Sequence, residues 1–156
     1  MVKVLFICHG NICRSPMAEF VLKKKVAELG VADKFYIESA ATSTEEICNG
    51  VGNPVYPPAR DELLKHGITC EGKRAVQLKK SDYDVYDYLI GMDNNNMRNI
   101  KKIIKNDPQS KIHKLLDFTK NPGDIDDPWY TGDFVSTYNE IYEGCMGLLN
   151  FIKETI

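Results

Sequence analysis

The chain has 156 residues, of which 43% are hydrophobic and 27% charged, with a formal net charge of −2. That length fits a single domain over residues 1–156 with enough chain to bury most of its apolar surface, and the composition excludes a disordered or fibrous chain. The near-neutral balance gives no global attraction to nucleic acid or to an anionic membrane, so any anion site must be local.

Residues 2–7, Val-Lys-Val-Leu-Phe-Ile, form a nearly continuous β-branched and aliphatic run, the pattern of a strand buried on both faces. The run ends in Cys8-His9-Gly10, too early for a long signal h-region or a membrane span. The expectation is a cytoplasmic protein without membrane insertion. Ser15-Pro16 supplies a helix N-cap and a proline at the first helical position, and Met17, Phe20, Val21, Ala27 and Leu29 carry the helix to Gly30. Residues 34–40 read as a second strand and residues 58–66 as a helix stopped by Gly67. A strong strand follows over 85–92, then a helix over 94–105, a short strand over 114–118 and a closing helix over 132–153. Strands alternating with helices predict an α/β fold with right-handed crossovers, a parallel sheet covered on both faces, and a ligand site where loops leave the carboxyl ends of strands. Cys8 sits at such an end.

Between the first strand and the first helix lie Cys8, His9, Gly10, Asn11, Ile12, Cys13 and Arg14. A loop this short, feeding a helix N-terminus, turns successive backbone N–H groups toward one centre, where the helix dipole adds partial positive charge. Gly10 and Asn11 are residue types that tolerate the positive φ such a curl needs. Arg14 brings a planar fork that can hold two oxygens of a tetrahedral oxyanion. A thiol at this focus is expected to ionise at lower pH than a free one and to serve as a nucleophile, with the Ser15 hydroxyl donating toward the sulfur. The segment has Cys-Arg-Ser where a nucleotide-triphosphate cradle has Gly-Lys-Ser or Gly-Lys-Thr, so a kinase reading fails. Cys8 and Cys13 have no second pair with zinc spacing, so no metal is expected, and the five scattered cysteines do not make a disulfide framework.

The stretch from Cys8 to Ser15 resembles the phosphate-binding loop of the low-molecular-weight protein tyrosine phosphatases. The resemblance continues through Pro16-Met17-Ala18-Glu19, Ser39-Ala40-Ala41-Thr42-Ser43, His66-Gly67-Ile68 and Asp127-Pro128-Trp129-Tyr130, in the family's order along nearly the whole chain. It implies a three-layer sandwich around a four-stranded parallel sheet in the order 2-1-3-4, with helices on both faces. It also implies a cofactor-free phosphatase with Cys8 as nucleophile, Arg14 as phosphate clamp, and the loop residues His9, Gly10, Asn11, Ile12, Cys13 and Ser15 around the oxyanion. A thiolate attacking phosphorus needs the leaving oxygen protonated, a step in which a positioned acid contributes roughly 10²- to 10⁴-fold. By resemblance that acid is Asp127, in a polar stretch beginning at Asn121.

Further roles follow from the same resemblance. Trp129 and Tyr130 would wall a slot for an aromatic ring; Asn11, Ser15, Ser39 and His66 would hold the loop in its curl; and Asp93 would stand near Arg14. Cys13 would shelter Cys8 through a reversible disulfide. The chain departs from the family where a second aromatic wall is expected: it carries Thr44-Glu45-Glu46-Ile47 and an extension through Asn53. The implied partner is a phosphotyrosine-containing protein or a small aryl phosphate, opposed by a tyrosine kinase. The alternatives are an arsenate reductase or a phosphoarginine phosphatase of the same fold, or a phosphotyrosine-binding module without turnover.

Overall fold

The structure, a computed structural model, describes residues 1–155. Its elements are β1 (Val2–Cys8), α1 (Arg14–Glu28), a 3-10 turn (Ala32–Lys34), β2 (Phe35–Ala41), a small hairpin of β3 (Ile47–Cys48) and β4 (Val51–Gly52), α2 (Pro57–Lys65), α3 (Asp82–Val85), β5 (Tyr88–Gly91), α4 (Asn94–Ile104), β6 (Ile112–Lys114), a second 3-10 turn (Leu115–Phe118), α5 (Pro128–Thr131) and α6 (Phe134–Thr155). The main sheet runs β2-β1-β5-β6 with every neighbouring pair parallel. Counted by the sheet's own strands, that is the expected order 2-1-3-4.

β1 occupies the centre because its side chains are apolar on both faces. Val4 and Phe6 pack with Met17, Val21 and Leu22 of α1 and with Ile141, Leu148 and Ile152 of α6. Leu5 and Ile7 pack instead with Leu89, Ile100 and Ile104. The strand's period of two thus assigns alternate residues to opposite layers and creates the three-layer sandwich. The four central residues, 2% exposed or less, each contribute about 1.5–3 kcal/mol of apolar burial. The same parity sends Cys8, the last residue of the strand, to the α1 side. β1 is tied to β2 from Val2↔Phe35 to Cys8↔Ala41, so the register extends up to the last residue before the loop.

Three elements differ from the sequence expectation. The strand expected over 85–92 is shorter, because Asp82 caps its own turn by accepting from the Lys79 amide at 2.8 Å and places Val85 in α3. The strand expected over 114–118 lies earlier: β6 ends at Lys114, and Leu115–Phe118 turn inward to bury Leu115 and Leu116 beneath α6. Helix α1 begins at Arg14, and Ser15 does not cap it, since its hydroxyl is committed to the loop described below. Among the described residues no helix is long and apolar enough to cross a membrane.

α6 meets the second 3-10 turn at two glycines. A Cβ at Gly144 would run into the Leu115 side chain, and one at Gly147 into the backbone carbonyl of Phe118, which no rotamer change relieves. Gly147→Ala is therefore expected to lower unfolding free energy by about 1–3 kcal/mol in a urea titration, whereas Asp133→Ala, which removes the carboxylate that accepts from the Ser136 amide at the exposed start of the same helix, should cost about 1 kcal/mol.

Candidate active site

The chain leaves β1 at Cys8 and reaches α1 at Arg14 through a closed curl. Asn11 takes the left-handed backbone at φ 59°, as its residue type permits. Gly10 does not adopt positive φ; a Cβ there would stand 3.2 Å from Cγ of Glu46, so the curl packs close beneath that side chain.

The hydrogen bonds beneath the curl have a direction that can be read off in full. The Val76 amide, which can only donate, meets Oδ1 of Asn11 at 3.0 Å. Nδ2 of Asn11 must therefore face the serines, donating to Ser15 Oγ at 2.7 Å and to Ser39 Oγ at 2.9 Å. Ser39 Oγ donates in turn to Oε1 of Glu19 at 2.5 Å. Ser15, already an acceptor, has its single proton left for Cys8 Sγ at 3.0 Å, and its backbone N–H reaches the same sulfur at 3.4 Å. Two donors thus converge on the sulfur.

Arg14 is 2% exposed. Nη1 donates to Asp93 Oδ2 at 2.7 Å and to the Ile125 carbonyl at 2.8 Å, while Nη2 lies 3.4 Å from Asp127 Oδ2. Burial works against its charge, but the neighbouring Cys8, Asp93 and Asp127 outweigh burial and hold the proton more firmly than usual. With Nη1 saturated, the Nε and Nη2 edge is the one available to an oxyanion. Asp93 is itself fixed as the N-cap of α4, in a reciprocal capping box with Asn96. Asp127 caps α5, accepting from the Trp129 amide at 3.0 Å. That bond holds one carboxylate oxygen and points the other toward Arg14.

These groups border one cavity of about 120 Å³, lined by Cys8, His9, Gly10, Ile12, Cys13, Arg14, Asp127, Trp129 and Tyr130 together with Glu45 and Glu46. Asn11, Ser15 and Ser39 lie beneath it, 1% exposed or less, and Asp93 stands behind Arg14. Burial first, then the charges of Cys8 and Asp127, push the Cys13 thiol far above the ordinary range. All five cysteines are free thiols. Glu45 meets Nε2 of His9 at 3.0 Å across the rim, and acidic side chains thus occupy the side where a second aromatic wall was expected. Among the described residues no cluster of His, Cys, Asp or Glu is placed to hold a metal ion.

One assignment is corrected. His66 does not join the network under the loop: it bonds Glu62 at 3.0 Å and stacks on Tyr138, with centroids 3.7 Å apart. The far end of the network is Glu19, 1% exposed, joined by Lys23 at 2.6 Å and Lys73 at 3.5 Å, and Lys73 also donates to the Ser39 carbonyl at 2.9 Å. Sequence reasoning missed Lys73, which sits in a Glu-Gly-Lys-Arg stretch that reads as solvated surface, and Tyr56, whose ring backs Trp129 at 4.7 Å. The Tyr-Pro-Pro sequence at 56–58 was the available signal for a rigid turn there.

Comparison with known proteins agrees with this geometry. The family model described as low molecular weight phosphotyrosine protein phosphatase matches residues 3–156. The low molecular weight protein-tyrosine-phosphatase YfkJ of Bacillus subtilis is 36% identical over 156 residues, covering 99% of this chain and 97% of the relative. Its crystal structure superposes with a TM-score of 0.93 at 35% identity over 99% of this chain and 96% of that one. The structure of SP-PTP, a low molecular weight protein tyrosine phosphatase from Streptococcus pyogenes, gives a TM-score of 0.83 at 40% identity over 96% and 92% of the two chains. That of DARP, a Drosophila arginine phosphatase, gives 0.85 at 30% identity over 97% and 98%. By its phosphate loop, its sheet order and its match from residue 3 to the end, this chain belongs to the low molecular weight phosphotyrosine protein phosphatase family.

Proposed function

We propose that this chain hydrolyses phosphotyrosine esters of proteins, or small aryl phosphates, in two steps without metal or cofactor. The observation that carries the reading is the convergence of sulfur, guanidinium and carboxylate on one cavity, with the Ser15 proton turned onto the sulfur by the Asn11 amide. In the first step Cys8 Sγ forms a bond to phosphorus while the bond from phosphorus to the phenolic oxygen breaks. Asp127, in its acid form, gives its proton to that oxygen. In the second step Asp127 takes a proton from water, whose oxygen bonds to phosphorus, and the sulfur leaves as a thiolate that Ser15 stabilises. Arg14 and the amides of residues 9–15 hold the equatorial oxygens throughout.

An aromatic ring is the guest that fits the wall: Trp129, backed by Tyr56, offers a flat face beside Ile12, and Tyr130 extends it. A second reading, phosphoarginine hydrolysis, draws on Glu45 and Glu46 at the same mouth, whose carboxylates would pair with a guanidinium. The reading places the enzyme in the cytoplasm, where reducing conditions keep Cys8 a thiol and an opposing tyrosine kinase would supply its substrates. Residues 1–156 would act as one domain.

Phosphate release from phosphotyrosine, phosphoserine and phosphoarginine peptides tests the two readings. Phosphotyrosine turnover is expected to dominate, to vanish in Cys8→Ser, and to fall by about 10²-fold or more in Asp127→Ala. The Asp127→Ala loss should be smaller for p-nitrophenyl phosphate, whose leaving group is already acidic; faster turnover of phosphoarginine would transfer the assignment to the second reading. Asn11→Asp replaces the amide donor with an acceptor and draws the Ser15 proton off the sulfur, so kcat should fall by about tenfold or more, the worth of one hydrogen bond to a charged group. Iodoacetamide near neutral pH, followed by peptide mass mapping, should label Cys8 and leave the buried, protonated Cys13 and Cys145 unmodified.

A further inference from the structure

A larger hollow of about 410 Å³ adjoins the catalytic cavity and shares Ile12, Glu46 and Trp129 with it as a common wall. Its floor is Val55 and Cys70, 5% and 7% exposed, and its rim carries Leu64 and Trp129, which leave 50% and 53% of their surface to solvent. Such a lining is predominantly apolar and of the size of a small-ligand pocket.

The hollow is built onto the phosphate loop. The Tyr56 amide donates to the Ile12 carbonyl at 2.9 Å, the Asn53 amide to the Glu46 carbonyl at 2.8 Å and the Ala75 amide to the Asn53 carbonyl at 2.9 Å. Pro54, Pro57 and Pro58 fix the backbone between these ties. The floor therefore keeps its place relative to Cys8. A phosphotyrosine seated with its ring against Trp129 would bring its main chain out at the mouth, beside the shared wall of Ile12, Glu46 and Trp129. In an extended peptide, residues two apart lie on the same side at a spacing of about 6.5 Å, so the neighbour two positions away falls over the hollow.

We propose that this hollow is the subsite for an apolar side chain two residues from the phosphotyrosine of a polypeptide substrate. The subsite rests on the phosphotyrosine reading above and refines it: the catalytic cavity reads the phosphorylated ring, and the hollow reads the protein that carries it. Occupancy covers Leu64 and the outer face of Trp129, apolar surface that this fold otherwise leaves to water.

The test compares kcat/KM for phosphotyrosine peptides bearing Leu, Ala or Asp two residues before or after the phosphotyrosine, with p-nitrophenyl phosphate as the reference that cannot reach the hollow. Leu is expected to exceed Ala by about tenfold on one side of the phosphotyrosine, consistent with partial burial of one aliphatic side chain. Leu64→Glu, an exposed change that leaves the core intact, should remove that preference and leave p-nitrophenyl phosphate turnover within about twofold of wild type. Equal rates for all peptides, or a Leu64→Glu variant that slows the peptides and the aryl phosphate alike, would overturn the subsite. A Leu64→Glu variant with unchanged peptide kinetics but a lower sedimentation coefficient would assign the face to a second copy of this chain and overturn it equally. Absence of all turnover by wild type, p-nitrophenyl phosphate included, would remove the phosphotyrosine reading itself, a pattern distinct from loss of the leucine preference alone.

Discussion

The contact between the Val76 amide and Oδ1 of Asn11 orders everything else at the site. A backbone N–H cannot reverse its role, so this bond fixes which way the Asn11 amide faces. The amide then fixes the directions of the Ser15 and Ser39 hydroxyls, and Glu19 accepts the hydrogen bond that Ser39 donates. A chain of neutral groups with one irreversible donor at the start and a carboxylate at the end has a single consistent polarity. Its useful product is a hydroxyl proton aimed at sulfur. The buried carboxylate is tolerable because Lys23 and Lys73 both reach it, and removing either would leave charge poorly compensated in the interior.

The second constraint is Arg14, a buried cation among Cys8, Asp93 and Asp127. Two carboxylates and a carbonyl set the plane of the guanidinium, and α4 and α5 set the carboxylates by using them as caps. Helix capping, normally a stabilising detail of about 1 kcal/mol, here aims the electrostatics of the reaction. The central position of β1 completes the arrangement, since parity along that strand decides that Cys8 faces α1 and the helix N-terminus.

The parts of this design that are contiguous in sequence were legible there. The strand, the curl and the Arg-Ser-Pro helix start occupy residues 2–16, and the family resemblance through Asp-Pro-Trp-Tyr pointed to Asp127, which the structure places against Arg14. The parallel sheet followed from alternation of strands and helices, and its order from the family resemblance alone. What escaped were roles determined by distant partners. Lys73 looks like surface charge until the fold brings Glu19 and Ser39 to it, and His66 looks like a network member until Glu62 and Tyr138 claim it. Ser15 reads as a helix cap, but the helix already begins at Arg14, so Ser15 lies inside its first turn, its oxygen accepting from Asn11 and its proton facing the sulfur. The end of β6 was misjudged because Leu115 and Leu116 suit a strand by composition; only the glycines of α6 reveal that the chain turns beneath that helix.

Trp129 is the single tryptophan of the chain. It stands half exposed on the wall between the two cavities, with the Tyr56 ring 4.7 Å from its own. The molecule therefore carries a built-in fluorophore at the one place where a guest of either cavity must alter its surroundings. Excitation near the red edge of indole absorption isolates that ring from the eight tyrosines, and its emission colour and quenching by iodide follow the filling of the cleft in the unlabelled protein.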